Sequence, residues 1–293
     1  MMGLSKHRFS DLTRRTVVTG LDDRPEPVSE SYQREFEEQA ASMGLNPDYP
    51  WIGGYVDYEW DHLRHILNAY DIDVKGLSIL EFGCNVGASS ILFSHFGAKV
   101  FAVDVAREYV ELAHLNARRY GINNIEFHHV VDTRHLPFEN DYFDFVCCNS
   151  VLEYVDPGHL SAVEAEIGRT VKTGGRILVT GTSNRLWPKE VHSEKWFVNY
   201  MPRFVDRIFK LNLERGTLPW KIRYGFGKHY ENLDYRDRGR AFVESRALMG
   251  GCKNRLQAYV KLMSWLGVGP GLMAQNISCL LEKKISERNR SSE

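Results

Sequence analysis

The sequence predicts an α/β chain built on a doubly wound, mostly parallel sheet, and three observations carry the prediction. Short runs that are apolar throughout recur between residues 78 and 181. Stretches with helical spacing separate them. The first of these runs ends in a glycine turn, and the next two end in an aspartate. Strands apolar on both faces belong to a sheet covered on both sides, and right-handed crossovers then make it doubly wound.

Taken in order, residues 1–30 are polar and punctuated by Pro25 and Pro27, which suits a flexible N-terminal arm. Over 31–43, Phe36, Ala40 and Met43 recur at helical spacing, and Gly44 can end the helix. A loop over 46–54 leads to a second helix at 58–70, with Leu63, Ile66, Leu67 and Tyr70 on one face. The first strand, 78–83, runs into a glycine turn and a helix over 87–96. A strand at 99–103, a helix at 106–120 closed by Gly121, and strands at 125–131 and 143–149 follow. Asp156 and Pro157 suit the start of a helix that carries Leu160, Val163, Ile167 and Val171 on one face. Gly174 and Gly175 turn the chain into a strand at 176–181, and 276–283 reads as the last strand. Between them the alternation breaks down, so 184–275 is expected to be an insertion packed over a core formed by 31–183 and 276–293.

A formal net charge of −1 over 293 residues argues against a general nucleic-acid binder. The charge is uneven, however: residues 201–261 hold 14 Lys and Arg against 6 Asp and Glu. Such a segment suits a solvated face first, and an anionic ligand or a membrane surface second. The five cysteines lack C-x-x-C pairs, so no metal is expected, and reduced thiols in a cytoplasmic protein are. The longest apolar stretch, near 256–281, is broken by Lys261, Gly269, Pro270 and Gly271, and is a poor membrane span.

Chemistry is expected where the strands end. Gly83 permits a tight turn and close approach of a ligand to the backbone, and Gly87 can open a helix whose free amides suit a carboxylate. Asp104 follows the second strand, where a carboxylate can accept both hydroxyls of a ribose. Asp132 follows the third, where it can accept from an adenine amino group. Each acid alone could be a helix cap, but acids at successive strand ends in order point to a nucleoside site.

E-F-G-C-N-V-G (81–87), V-D-V-A (103–106), V-D-T-R-H-L-P-F (131–138), F-D-F-V-C-C-N-S-V-L-E-Y-V (143–155) and K-T-G-G-R-I-L-V-T (172–180) occur in this order. Together they resemble the motifs of class I S-adenosylmethionine-dependent methyltransferases. The resemblance implies a Rossmann-like, seven-stranded sheet with an antiparallel last strand, and S-adenosylmethionine as the bound cofactor. It also implies that Glu81 and Gly83 line the methionine portion and that Gly87 starts the helix beneath it. Asp104 then holds the ribose, Val105 packs on adenine, Asp132 and Thr133 edge it, and Asn149 lies beside the sulfonium. Asn85 departs from the pattern by replacing the usual central glycine, and Tyr154 stands where relatives often have histidine. A nicotinamide dinucleotide is disfavoured, because its pyrophosphate normally requires G-x-G-x-x-G and the second glycine is missing.

After strand four, N-S-V-L-E-Y-V lacks the N-P-P-Y of enzymes that methylate nucleobase amines, and looks more like small-molecule methyltransferases of ubiquinone and menaquinone biosynthesis. The expected reaction is transfer of a methyl group to an oxygen, less readily a nitrogen or carbon, of a small organic acceptor. His192, shortly after the fifth strand, is the candidate general base. The aromatic residues of 184–275 are expected to be the core of a small cap, which could also wall an apolar acceptor site. With the basic excess they suit a lipid-like or anionic acceptor, or peripheral contact with a membrane. Tyr58 and Trp60 are candidate gate residues. The same residues allow a non-catalytic S-adenosylmethionine-binding sensor or partner subunit, and a protein methyltransferase, as alternatives.

Overall fold

The structure is a computed structural model that describes residues 20–210 and 213–284. Residues 1–19 of the expected arm lie outside the described residues. Residues 20–29, by contrast, run along the body of the protein. Leu21 is buried in the core, Arg24 pairs with Asp57 at 2.6 Å, and the amide of Val28 donates to Arg119 at 2.8 Å.

The elements follow in chain order as α1 (Glu30–Ser42), α2 (Tyr55–Ala69), β1 (Ser78–Phe82), α3 (Ala88–His95), β2 (Lys99–Asp104), α4 (Arg107–Arg119), β3 (Ile125–His129), β4 (Phe143–Asn149), α5 (Leu160–Thr170) and β5 (Val171–Ser183). Then come α6 (Phe204–Phe209), α7 (Pro219–Gly225), β6 (Tyr230–Asn232), α8 (Arg240–Leu248), α9 (Lys253–Trp265), α10 (Pro270–Met273) and β7 (Asn276–Lys283). The seven strands form one sheet in the order β3-β2-β1-β4-β5-β7-β6. β1 to β5 pair in parallel, and β7 runs antiparallel to both its neighbours.

Neighbouring residues in the central strands point to opposite faces, as the period of two requires. Ile79, Val100, Phe145, Cys147, Leu178 and Leu280 pack into one core with Leu63, Ile66 and Leu67 of α2 and Ile91, Leu92 and Phe93 of α3. Leu80, Phe101, Val146, Cys148, Ile177 and Leu281 pack into a second with Leu160, Val163 and Ile167 of α5 and Ile222 of α7. Both faces are covered, which is why these strands are apolar throughout. The five cysteines are free thiols, four of them buried, and Cys147 and Cys148 lie one in each core.

The structure departs from the sequence reading in further places. Val171, expected on the helix face, begins β5, which runs through Gly174 and Gly175 to Ser183. Asp156 does not cap α5, which starts at Leu160 after His159; its carboxylate accepts from the Gly158 amide at 2.7 Å in a turn that precedes the helix. Strand β6 lies inside the segment 184–275, too short at three residues to show a period, so the sheet divides the expected insertion. Most aromatics of that segment are not the core of a cap, although Phe242, with Tyr259 packed beside it, is buried in a small cluster of α8 and α9 with Val243 and Val260. Trp187, Trp196, Phe197, Tyr200, Phe204, Phe209, Trp220, Tyr224 and Tyr235 are exposed, whereas Phe226 and Tyr230 join the sheet core.

Candidate active site

Parallel strands present their carboxyl ends along one edge, and the loops leaving that edge enclose a cleft of about 1430 Å³. Its floor is the turn between β1 and α3. Gly83 has φ 78°, a region costly for other residues, and a Cβ there would collide with the side chain of Val151. The amides of Gly83 and Cys84 both donate to the Val103 carbonyl, at 2.9 and 3.0 Å, tying the turn to β2. Gly87, at φ 76°, opens α3 as expected but is not among the residues that line the cleft. Asn85 also sits at positive φ, 48°, which asparagine tolerates better than most residues.

Asp104 lines the cleft at the end of β2. One of its oxygens accepts from the Asn85 amide at 2.9 Å and the other from the Ala106 amide at 3.0 Å. These bonds fix the carboxylate and leave each oxygen further accepting capacity. Beside it, Val105 and Val131 expose apolar side chains into the cleft, at 56% and 79% of their surface. Two valines at adjacent strand ends make an apolar seat for a flat ring, and Val131 had not been singled out in the sequence. Asp132 and Thr133 complete that wall. The carboxylate of Asp132 is already engaged by Arg134, at 2.8 and 2.9 Å, and by His135 at 3.2 Å. The hydrogen bonds from Arg134 hold its pKa well below the usual carboxylate range.

Deeper in, the cleft is lined by acids that are buried. Glu81, at the end of β1, accepts from the Ser90 hydroxyl, and burial pushes its pKa up to about 8. Glu59 of α2 accepts from Asn149 and Tyr55, and burial pushes it up to about 7. Asn149 also reaches Ser89 at 3.3 Å. Glu59 and Tyr55 escaped the sequence reading, yet a signal was present: Glu59 lies one turn before Leu63 on the apolar face of α2. An acid on that face is costly unless it is neutral or paired.

At the mouth, His192 faces the cleft with its Nε2 2.8 Å from an oxygen of Glu153. Glu153 is 3% exposed and also accepts from the Ser183 amide at 3.0 Å. Burial lowers the pKa of His192, but the hydrogen bond and charge of Glu153, helped by Glu190 and Glu214, outweigh it and raise the net value. The Tyr154 ring lies beside that of His192, tilted by 42° with the ring centroids 5.8 Å apart. The aromatic wall comes from α2 and the loop before it, as Tyr49, Trp51, Tyr55 and Tyr58, not from 184–275. Trp60 does not line the cleft; its ring lies 3.8 Å from the Arg64 guanidinium on another side of α2. Among the described residues no group of side chains could hold a metal ion, and no helix is long and apolar enough to cross a membrane.

A family model described as a methyltransferase domain matches residues 79–175. A demethylmenaquinone methyltransferase of Lactococcus lactis is 32% identical over 185 residues, which cover 61% of this chain and 71% of that protein. A ubiquinone biosynthesis O-methyltransferase of Erwinia tasmaniensis is 27% identical over 169 residues, covering 55% and 68%. A crystal structure of the YcgJ protein of Bacillus subtilis overlays 77% of this chain and 100% of that one, with 16% identity and a TM-score of 0.47. The sheet order and the cleft at the strand ends are those of a doubly wound α/β protein that binds its ligand at the carboxyl edge of the sheet. With these relatives, the chain belongs to the class I S-adenosylmethionine-dependent methyltransferases, and S-adenosylmethionine is its methyl donor.

Proposed function

We propose that the enzyme methylates an oxygen of a small organic acceptor, with His192 as general base. One observation carries this reading: the His192–Glu153 pair opens on the same cleft as Asp104, Glu81 and Asn149. The donor supplies an electrophilic methyl group on a sulfonium. Asp104 would accept the ribose hydroxyls, and Val105 and Val131 would seat the adenine with Asp132 and Thr133 at its edge. Glu81 and the Gly83 turn would hold the amino-acid end, where buried acids suit a ligand with two positive centres. Asn149 would flank the reacting carbon.

As the acceptor oxygen bonds to the methyl carbon, the carbon–sulfur bond breaks and its electron pair stays on sulfur. The acceptor's proton passes to the free nitrogen of His192, and Glu153 steadies the resulting imidazolium. Alignment in the cleft supplies much of the acceleration. The name of the Erwinia relative, an O-methyltransferase, favours oxygen over nitrogen or carbon. In this reading 31–183 with 276–293 carries the donor, and Val191, His192, Glu194, Glu214 and Arg246 bring the segment 184–275 to the acceptor end.

The test is release of S-adenosylhomocysteine when labelled donor meets a pool of hydroxylated metabolites. We expect extractable labelled product, and a loss of about 10²-fold or more in kcat in His192→Ala at unchanged donor affinity. No turnover with any pool would favour the sensor or partner-subunit reading, and label in protein would favour a protein methyltransferase. A second reading concerns where the acceptor is met. The exposed rings of Trp196, Phe197, Tyr200, Phe204 and Phe209 are interleaved with exposed Lys195, Arg203 and Lys210. That composition suits the interface of an anionic bilayer. Flotation with anionic but not neutral vesicles is its expected outcome, and no flotation with either refutes it.

A further inference from the structure

One cation in the cleft has no part in the chemistry above. Arg246 of α8 lines the acceptor end beside Tyr58 and His62 of α2, the helix against which α8 packs. Among the described residues its guanidinium makes a single hydrogen bond, a weak one to the Met249 sulfur at 3.5 Å, and lies over the Phe242 ring at 5.4 Å. It takes part in no ion pair there. Asp234 is near enough for its charge to be felt, but that carboxyl accepts from the Tyr70 hydroxyl at 2.5 Å and from the Gly271 amide at 3.3 Å. Burial pushes Asp234 up to about 6, and burial draws Arg246 below its ordinary value. A largely buried guanidinium with most of its donors unused is stabilised by whatever anion reaches it.

The surroundings give such an anion room. A side hollow of about 430 Å³ opens at Arg246 and shares Val191, Glu194 and Asn276 with the main cleft. Lys189, Glu190, Ala274 and Gln275 complete its wall; Lys189 pairs with Glu194 at 3.6 Å, and Glu190 accepts from the Ser193 amide at 2.5 Å. Arg246 therefore stands where the main cleft meets the hollow, and it differs from Lys189 across that hollow, whose charge is already met by Glu194, in having no carboxylate partner among the described residues. We propose that Arg246 is the anion-recognition residue of the acceptor site, and that the acceptor carries a carboxylate or phosphate, held in this hollow by the guanidinium fork. The proposal rests on the methyl-transfer reading and narrows its substrate class.

The experiment is calorimetric titration of the protein saturated with S-adenosylhomocysteine, using benzoate and phenyl phosphate against their neutral counterparts benzamide and phenol. At least one anion should bind about tenfold or more tightly than its neutral counterpart. Arg246→Gln should erase that ratio while leaving S-adenosylhomocysteine affinity and melting temperature unchanged. Benzoate against phenyl phosphate identifies the headgroup. Equal binding of anion and neutral partner, no binding of either anion, or a ratio intact in Arg246→Gln overturns the proposal. The wild-type ratio decides the matter even where the variant fails to fold. Tight S-adenosylhomocysteine binding without anion preference sinks the subsite alone, whereas failure to bind S-adenosylhomocysteine sinks the methyl-transfer reading.

Discussion

Asn85 stands at φ 48° where the family motif usually has glycine, and the turn keeps its geometry because asparagine enters the left-handed region at modest cost. What the site needs from this position is its backbone amide, which donates to Asp104 at 2.9 Å. Asn85→Gly should therefore keep donor affinity within about threefold, since glycine supplies the same amide at the same φ. Asn85→Val should destabilise the fold by about 1–3 kcal/mol, read by thermal melting, because a β-branched residue is strained there. His192 gives a prediction in pH. Its pKa is raised on balance, so it holds its proton to higher pH than an ordinary histidine, and a base must be deprotonated. The acid limb of kcat/KM should rise with pH through that raised value. In Glu153→Gln the imidazolium loses its partner while burial remains, so the midpoint should move to lower pH. A midpoint that stays put would show that His192 does not titrate in catalysis. The same pair stabilises the fold below the ordinary histidine pKa, and that contribution is lost as pH rises through the raised value.

The turn between β1 and α3 shows how an element positions several groups at once. Gly83 gives it the positive φ and the space beside Val151, and the paired amides to Val103 set its distance from β2. Gly83→Ala should lower stability by about 1–3 kcal/mol and weaken donor binding together, checked by melting and titration of one preparation. This part of the molecule was legible in sequence because β1, β2 and β4 are buried on both faces and end in residues with distinctive chemistry. β6 was not legible, since three residues carry no period. The aromatics of 184–275 misled because ring content does not distinguish a core from a surface, and spacing does not rescue it: Phe197, Tyr200 and Phe204 recur at intervals of three and four, yet all three are exposed. Glu59 was legible in principle, as an acid on the apolar face of α2, whereas Glu153 and Arg246 were not. Their partners or the cleft they face come from residues 30 or more positions away, and only the fold brings them together.

For the molecule as a whole, the cleft is a proton store. Glu59 and Glu81 hold protons up to about 7 and 8 because burial penalises their charged forms. A ligand bringing positive charge beside them favours the carboxylates and lowers both pKa values. Donor binding near about pH 7.5 should therefore release protons, so the calorimetric enthalpy should differ between phosphate and Tris buffers with the sign of proton release. No buffer dependence, or proton uptake, would place the positive centres away from these acids. The most direct test of the central claim is titration of S-adenosylmethionine into the wild-type protein and into Asp104→Ala. Binding at about micromolar affinity or tighter is expected in the wild type, weakened about tenfold to a hundredfold when the ribose carboxylate is removed. A folded wild-type protein that does not bind, or an Asp104→Ala variant that binds equally well, would contradict it.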